Sequence, residues 1–412
     1  MKKIVVASSG FKDVFDPIET AEMLRKVVQQ AFPDAAVTAV PMADGGEWST
    51  EVLSGHLGLP KVAVSGVIDP RGMLRTAEYV LLDPQTAFIA ASAIVRLPPE
   101  LSAHKNPLHL TSYGYGQLIR HAIAHGCTKI YLGMGGTSTV DGGIGMAQAL
   151  GMPFIYDDPA IAAKRYLTGG DLPHILGVAL HPALVEKYKD VSVEVLCDSG
   201  VNLHQLYVVT KLKVSDEFAE QREQIVALLN AGLLQYSARI SNYLAAADSR
   251  RSVDIHALDR QQSVGNSGGM ILSLLPLFDV RLSKGVEFFY ERLGVRQLIQ
   301  DADLVITGEG RLEESSLLQK TPTGISRLAQ QHQKPVLYLV GDIDETYRQQ
   351  LEAPIARNMP PAFAESGISA VLSCHPLYAN VPADYEQRMA YYREQTPQIL
   401  QQLLAKWGRG SF

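Results

Sequence analysis

Three stretches of this chain set an acid among glycines directly after a short apolar run. Val37 to Val40 leads into Pro41-Met-Ala-Asp44-Gly45-Gly46-Glu47. Ile130 to Met134 leads into Gly135, Gly136, Thr137, Ser138, Thr139 and Asp141, and Asp303 to Ile306 leads into Thr307-Gly-Glu309-Gly-Arg311. Glycines let backbone amides approach an anion closely, and carboxylates hold a hard cation or accept a proton. One such loop is as well explained by a tight turn whose Asp bonds its own backbone. Three in one chain point to a site for a phosphate and a divalent cation.

An apolar run, a glycine turn and then helical spacing read as strand, loop and helix, and small ligands bind at the carboxyl ends of strands in open α/β sheets. Ile4 to Ala7 reads as a first strand whose exit loop holds Lys12. Asp16 is the expected N-cap, with Pro17 in the first position, of a helix running to Phe32, and Val37 to Val40 closes a parallel unit. Val62 to Val67 and Ala77 to Leu82, joined through Asp69-Pro-Arg-Gly72, read as an antiparallel pair that interrupts it. Helical spacing over Thr111 to Gly126 feeds the strand at Ile130, and Val191 to Leu196 forms another strand ending in an acid, Asp198. Ser263 to Met270 is a second glycine loop, followed by an apolar helix from Ile271 to Phe278. Strands at Leu304 to Ile306, Val336 to Val340 and Ser369 to Ser373 look like completion of the first sheet, and Asp384 to Trp407 reads as a packing helix. The expected domains are therefore residues 1–58 with 290–412, a discontinuous Rossmann-like α/β domain, and an inserted mixed α/β domain over 59–289.

A net charge of -6 and the lack of any Lys/Arg block argue against nucleic acid as a partner. Three scattered cysteines imply neither a disulfide framework nor a cysteine zinc site. The apolar start is too short for a signal peptide or membrane span, so no membrane partner is expected and the default location is cytoplasmic. His121 and His125 stand four apart on a helix but lack the Glu of a zinc-protease motif, and read as surface residues. Gly265-Asn-Ser267-Gly-Gly269 formally matches a serine-hydrolase elbow, yet ALDRQQ before it is polar rather than a strand.

Taken together the loops resemble the type I glycerate kinases. The segments that carry the resemblance are Phe11-Lys12, Pro41 to Glu47, Asn106-Pro107, Thr111-Ser112-Tyr-Gly, Gly135-Gly136 with Thr139 and Asp141, Cys197-Asp198, Gly265 with Gly268-Gly269, Asp303 to Leu312, Lys320 with Pro322, and Gly367 to Ala370. The resemblance implies a two-domain α/β fold with its site in the cleft between domains. It also implies ATP and Mg2+ as cofactors and a small hydroxy acid as substrate, glycerate first, and it admits a homodimer. Carried over by position, Asp44, Asp141, Asp198 and Lys12 would be catalytic, and Asp198 and Glu309 would hold the metal. Gly45, Gly46, Ser112, Gly135, Gly136, Thr137, Thr139, Gly268, Gly269, Glu309, Arg311 and Lys320 would bind substrate or nucleotide. Asp44→Asn and Asp141→Asn are each expected to cut turnover by orders of magnitude with little effect on thermal stability. The chain departs from the family pattern at Ser9, Asp13, Val140, Glu313-Glu314 and Gln319. Those departures carry the alternative of a member that binds a small acid or nucleotide without turning it over, or that takes another substrate.

Overall fold

The computed structural model describes every residue except 12–13, 99–100, 102–103, 198–201, 204–212, 248–254, 256–263, 318–319, 349, 352, 358–360 and 409–412. In chain order the strands are β1 (Lys3–Ser8), β2 (Ala36–Pro41), β3 (Lys61–Ile68), β4 (Leu74–Asp83), β5 (Thr86–Ala90), β6 (Lys129–Met134), β7 (Phe154–Tyr156), β8 (Ile175–Val178), β9 (Ser192–Cys197), β10 (Asp279–Lys284), β11 (Leu304–Leu312), β12 (Val336–Ile343), β13 (Ile355–Ala356) and β14 (Ala370–Ser373). The chain divides into two compact units, one of Met1–Asp44, Glu51–Gly58 and Gly285–Phe412, the other of Gly45–Thr50 and Leu59–Lys284.

In the first unit six strands lie in the order β13-β14-β12-β11-β1-β2. All neighbours are parallel except the short β13. Apolar residues cover both faces, as a parallel sheet requires. Ile4, Val6, Leu304, Ile306, Leu337 and Leu339 pack on one side with Leu24 and Val28 and with Leu400, Leu403 and Leu404 of the last helix, Tyr385–Gly408. Leu312, Tyr338, Val340, Phe363 and Val371 pack on the other. The first helix, Pro17–Ala31, starts as the sequence dictates: Asp16 accepts from the Glu19 amide, Glu19 returns the bond, and Pro17 sits at the first position.

The second unit is built on the order β10-β9-β6-β5-β4-β3. The β3–β4 and β4–β5 pairs are antiparallel, and β5, β6, β9 and β10 run parallel. A mixed sheet of this kind accords with the expected interruption of the parallel grammar. No helix among the described residues is long and apolar enough to cross a membrane.

Two elements differ from the sequence reading. β11 does not end at Ile306 but runs on to Leu312, so Glu309 and Arg311 are strand residues rather than loop residues. Gly308 makes this extension possible, because a Cβ there would lie 2.5 Å from the carbonyl oxygen of Leu339 on β12. The apolar stretch after Met270 forms only a short helix, Ile271–Leu274, and turns before Phe278.

Candidate active site

In the first unit the sheet order reverses at β1: the chain moves to β2 on one side and to β11, β12 and β14 on the other. A crevice at such a reversal, outside the carboxyl ends of the strands, is the usual ligand position. Ser8 and Ser9 leave the end of β1 and donate to the carbonyl oxygen of Gly308 at 2.9 and 3.1 Å. The next residue of β11 is Glu309, only 9% exposed. Burial pushes its carboxyl up to about 7; nearby Lys320 and hydrogen bonds from Ser316 and Tyr338 pull it down, and Glu313 pushes it up.

Lys320 lies 3.4 Å from Glu313 and is the N-cap residue of the helix Thr321–Gln331. At that helix start the backbone N–H and the hydroxyl of Thr321 both point at one oxygen of Asp44, each at 3.4 Å. Asp44, half-buried, therefore stands where helix N-termini favour negative charge. Arg311, one strand step beyond Glu309 on the same face, pairs with Asp344 at 3.2 Å and Asp342 at 3.9 Å. So Asp44, Glu309, Lys320 and Arg311 gather at one end of one sheet, three of them through partners that sequence reasoning missed. Thr321 and Ser316 carried no reading of their own, and Tyr338 read only as part of the strand Val336 to Val340. Only their three-dimensional placement reveals a role.

In the second unit the predicted residues fall into two kinds. Gly45 and Gly46 follow Asp44 along the ends of the strands, where Ser92 donates to the Gly46 carbonyl at 3.4 Å and Arg96 pairs with Glu47. Gly136 faces the same stretch, its missing Cβ 3.2 Å from Ser92. Thr137 and Thr139 meet a lysine the sequence reading did not single out: the ammonium of Lys213 donates to the Thr137 hydroxyl and to the Thr139 carbonyl, both at 3.1 Å. Gly135, Gly136, Thr137 and Thr139 with Lys213 thus form a polar loop with a cation at its centre. The Thr139 hydroxyl itself is buried and has no partner among the described residues.

Asp141 is of the other kind. It is wholly buried, and it accepts from the Ser112 amide at 2.9 Å, the Ser112 hydroxyl at 2.7 Å and the Gly143 amide at 3.1 Å. Burial raises its carboxyl, while Ser112 and the Gly143 and Gly145 amides oppose that shift. Its oxygens are occupied by the start of the helix Ile144–Leu150, and the Ser112 hydroxyl in turn accepts from the Met146 amide at 2.9 Å. Gly268 and Gly269 lie against this same loop: the Gly268 carbonyl accepts from the Gly142 amide at 3.0 Å. A Cβ at Gly268, whose φ is +66°, would lie 2.5 Å from the Thr139 carbonyl oxygen. These glycines serve loop-to-loop packing.

Lys12 and Asp198, expected to be catalytic, and the departures Asp13 and Gln319 lie outside the described residues. Val140, another departure, is wholly buried in the apolar core. His121 is not a bare surface residue, since its ring nitrogen bonds the Tyr79 hydroxyl at 3.3 Å and its ring stacks on His125. No group of three or more His, Cys, Asp or Glu that could hold a metal occurs among the described residues. The Ser267 hydroxyl is buried with no hydrogen-bond partner among the described residues, where the hydrolase alternative would need a base beside it.

A family model described as the glycerate kinase family matches residues 4–374. The chain is 34% identical over 350 residues to "Glycerate kinase" of Haemophilus influenzae, covering 84% of this chain and 87% of that one. It is 31% identical over 353 residues to "Glycerate 2-kinase" of Escherichia coli K12, covering 83% and 86%. A crystal structure described as "putative glycerate kinase 2 from Salmonella typhimurium LT2" superposes with a TM-score of 0.68 at 28% identity, covering 99% of each chain.

Proposed function

This chain belongs to the glycerate kinase family, and from that premise we propose that it moves the terminal phosphoryl group of ATP to a hydroxyl of a small 2-hydroxy acid. Glycerate, giving phosphoglycerate, is the first candidate. The observation that carries the proposal is the gathering of Asp44, Glu309, Lys320 and Arg311 at the carboxyl end of one parallel sheet. Phosphoryl transfer needs little covalent chemistry from the protein, mostly positioning and neutralisation of charge. Lys320 and Arg311 supply the positive charge, and the start of the helix Thr321–Gln331 adds its dipole. In this reading the glycine backbone at Gly45, Gly46, Gly135 and Gly136, with Thr137, Thr139 and Lys213, offers donors to phosphate oxygens or to the acid. Asp44 and Glu309 are the described acids available to accept the hydroxyl proton; Asp198 and Lys12 complete the proposed set.

Mg2+ prefers oxygen ligands and is commonly held by one or two carboxylates together with substrate phosphates. The donor chemistry here fits that pattern, since Asp44 and Glu309 offer carboxylate oxygens and no three-residue cage occurs among the described residues. Asp198 and Glu309 would hold the ion, which when bound neutralises charge on the phosphates. A cytoplasmic location and small-molecule partners alone belong to the same reading.

The test is ADP release by the purified protein with a panel of 2-hydroxy acids, with NMR of the product assigning the hydroxyl. Glycerate should give the highest kcat/KM, and Asp44→Asn should lower kcat by about 100-fold or more. No ADP above background with any acid would overturn the proposal. One observation favours a second reading, that of a member which binds without turnover: Glu313 lies against Lys320 and offsets its charge. ADP binding measured by calorimetry in the absence of any turnover would select that reading.

A further inference from the structure

A buried tyrosine needs a partner for its hydroxyl. Tyr115 donates to the carbonyls of Ile89 and Gly133 at 3.0 and 3.3 Å, Tyr188 to that of Leu150 at 2.8 Å, and Tyr236 bonds the Ser273 hydroxyl at 2.8 Å. Those partners are neutral, and the bonds tie one part of a core to another. Tyr338 differs. It stands in the middle of β12, wholly buried, and its hydroxyl donates to Oε1 of Glu309 on the neighbouring strand.

The register explains the reach. Thr307 lies opposite Tyr338 and Glu309 lies opposite Val340, so the ring leans diagonally along the sheet toward the carboxyl ends of the strands. A phenylalanine would pack in nearly the same volume, and a buried carboxylate is costly unless it is hydrogen-bonded. Packing alone therefore accounts for neither member of the pair. Ser316, also wholly buried, stands beside the same carboxylate and accepts the Glu313 amide at 3.0 Å. The Thr323 hydroxyl joins the Ser316 carbonyl at 3.2 Å and the Lys320 carbonyl at 3.1 Å. Glu309 is thus clamped between β12 and the turn that carries Lys320.

We propose that Tyr338 is a positioning residue for phosphoryl transfer, holding the Glu309 carboxylate in one orientation at the strand ends beside Lys320. The inference rests on the reading that Glu309 faces the reacting groups. A free Glu side chain explores many rotamers, and a group that must be aligned for reaction loses rate when it is misplaced by as little as an ångström. Holding it in the resting enzyme removes that search.

The experiment compares full-length wild type with Tyr338→Phe, Glu309→Gln and the double variant, with Tyr188→Phe as a control for losing a buried tyrosine hydroxyl. Tyr338→Phe should lower kcat about tenfold or more with KM for the acid changed less than about twofold. Its melting temperature should fall no further than that of Tyr188→Phe, which should keep wild-type kcat. Since the tyrosine acts through the glutamate, the double variant should be no slower than Glu309→Gln alone. Wild-type kcat in Tyr338→Phe, or fully additive losses in the double variant, would overturn the inference while leaving the kinase reading intact. Absence of ADP release by the wild type would instead defeat that reading and take this inference with it.

Discussion

Asp44 and Asp141 follow similar glycine grammar yet live in opposite surroundings. Sequence reasoning alone treats them alike, as residues of turnover with little bearing on stability. For Asp141 the structure corrects this, because the side chain is wholly buried and serves as acceptor for Ser112 and the Gly143 amide. An asparagine there would turn an NH2 group toward donors and leave them unpaired, so Asp141→Asn should cost about 2–4 kcal/mol of stability. Urea denaturation measures this, with Asp44→Asn as the comparison expected to stay within about 1 kcal/mol of wild type. An Asp141→Asn midpoint equal to wild type would remove the anchoring role. Glu309 makes a different prediction. Its carboxyl, ordinarily near 4.5, is pushed up to about 7 by burial. The folded chain then holds this proton more tightly than the unfolded chain, so the contribution is fully present below about pH 4.5 and is lost as pH rises through about 7. Without divalent cation, wild type should lose on the order of 3 kcal/mol relative to Glu309→Gln between those limits. A stability difference that stays flat with pH would contradict it.

Elements announced themselves in the sequence where a single local cause sufficed. The first helix begins at Pro17 because Asp16 caps it, and both residues can be read directly. The antiparallel pair β3–β4 follows from alternation around Asp69-Pro-Arg-Gly72, and Asp69 indeed turns the chain by accepting from the Arg71 and Met73 amides at 2.9 Å. Elements stayed hidden where the cause was a neighbour distant in sequence. β10, Asp279–Lys284, is polar and partly exposed, and it is a strand because β9 pairs with it. The extension of β11 past its glycines depends on β12 approaching closely enough for Gly308 to be required. That extension matters for the site. It places Glu309 and Arg311 on the same face of a rigid strand, where a loop would have left their spacing undefined. Apart from Lys213, the acids and basic residues of the candidate site were therefore legible as types, whereas the groups that hold them, Thr321, Ser316 and Tyr338, were not.

At the scale of the whole chain, the first sheet is assembled from pieces very far apart. β1 pairs with β2 across the first helix, but its other neighbour is β11, with Ile4 opposite Leu304. Four of the six strands in that sheet, β11 to β14, lie beyond residue 303, as does the helix that lays Leu400, Leu403 and Leu404 on its face. By contrast, every strand of the second unit's main sheet lies between Lys61 and Lys284. A pair of strands with one helix is marginal in water, because it has too little apolar surface to offset the entropy of ordering. A chain ending at residue 284 should therefore keep the second unit and lose the first. Hydrogen exchange read by mass spectrometry should find slow amides at β6 and β9 in that fragment, as in the full chain. The amides of β1, slow in the full chain, should exchange at nearly the rate of unfolded peptide. If β1 is equally protected in both, then long-range pairing with β11 is not what holds it, and the argument that Glu309 is fixed by a completed sheet loses its support.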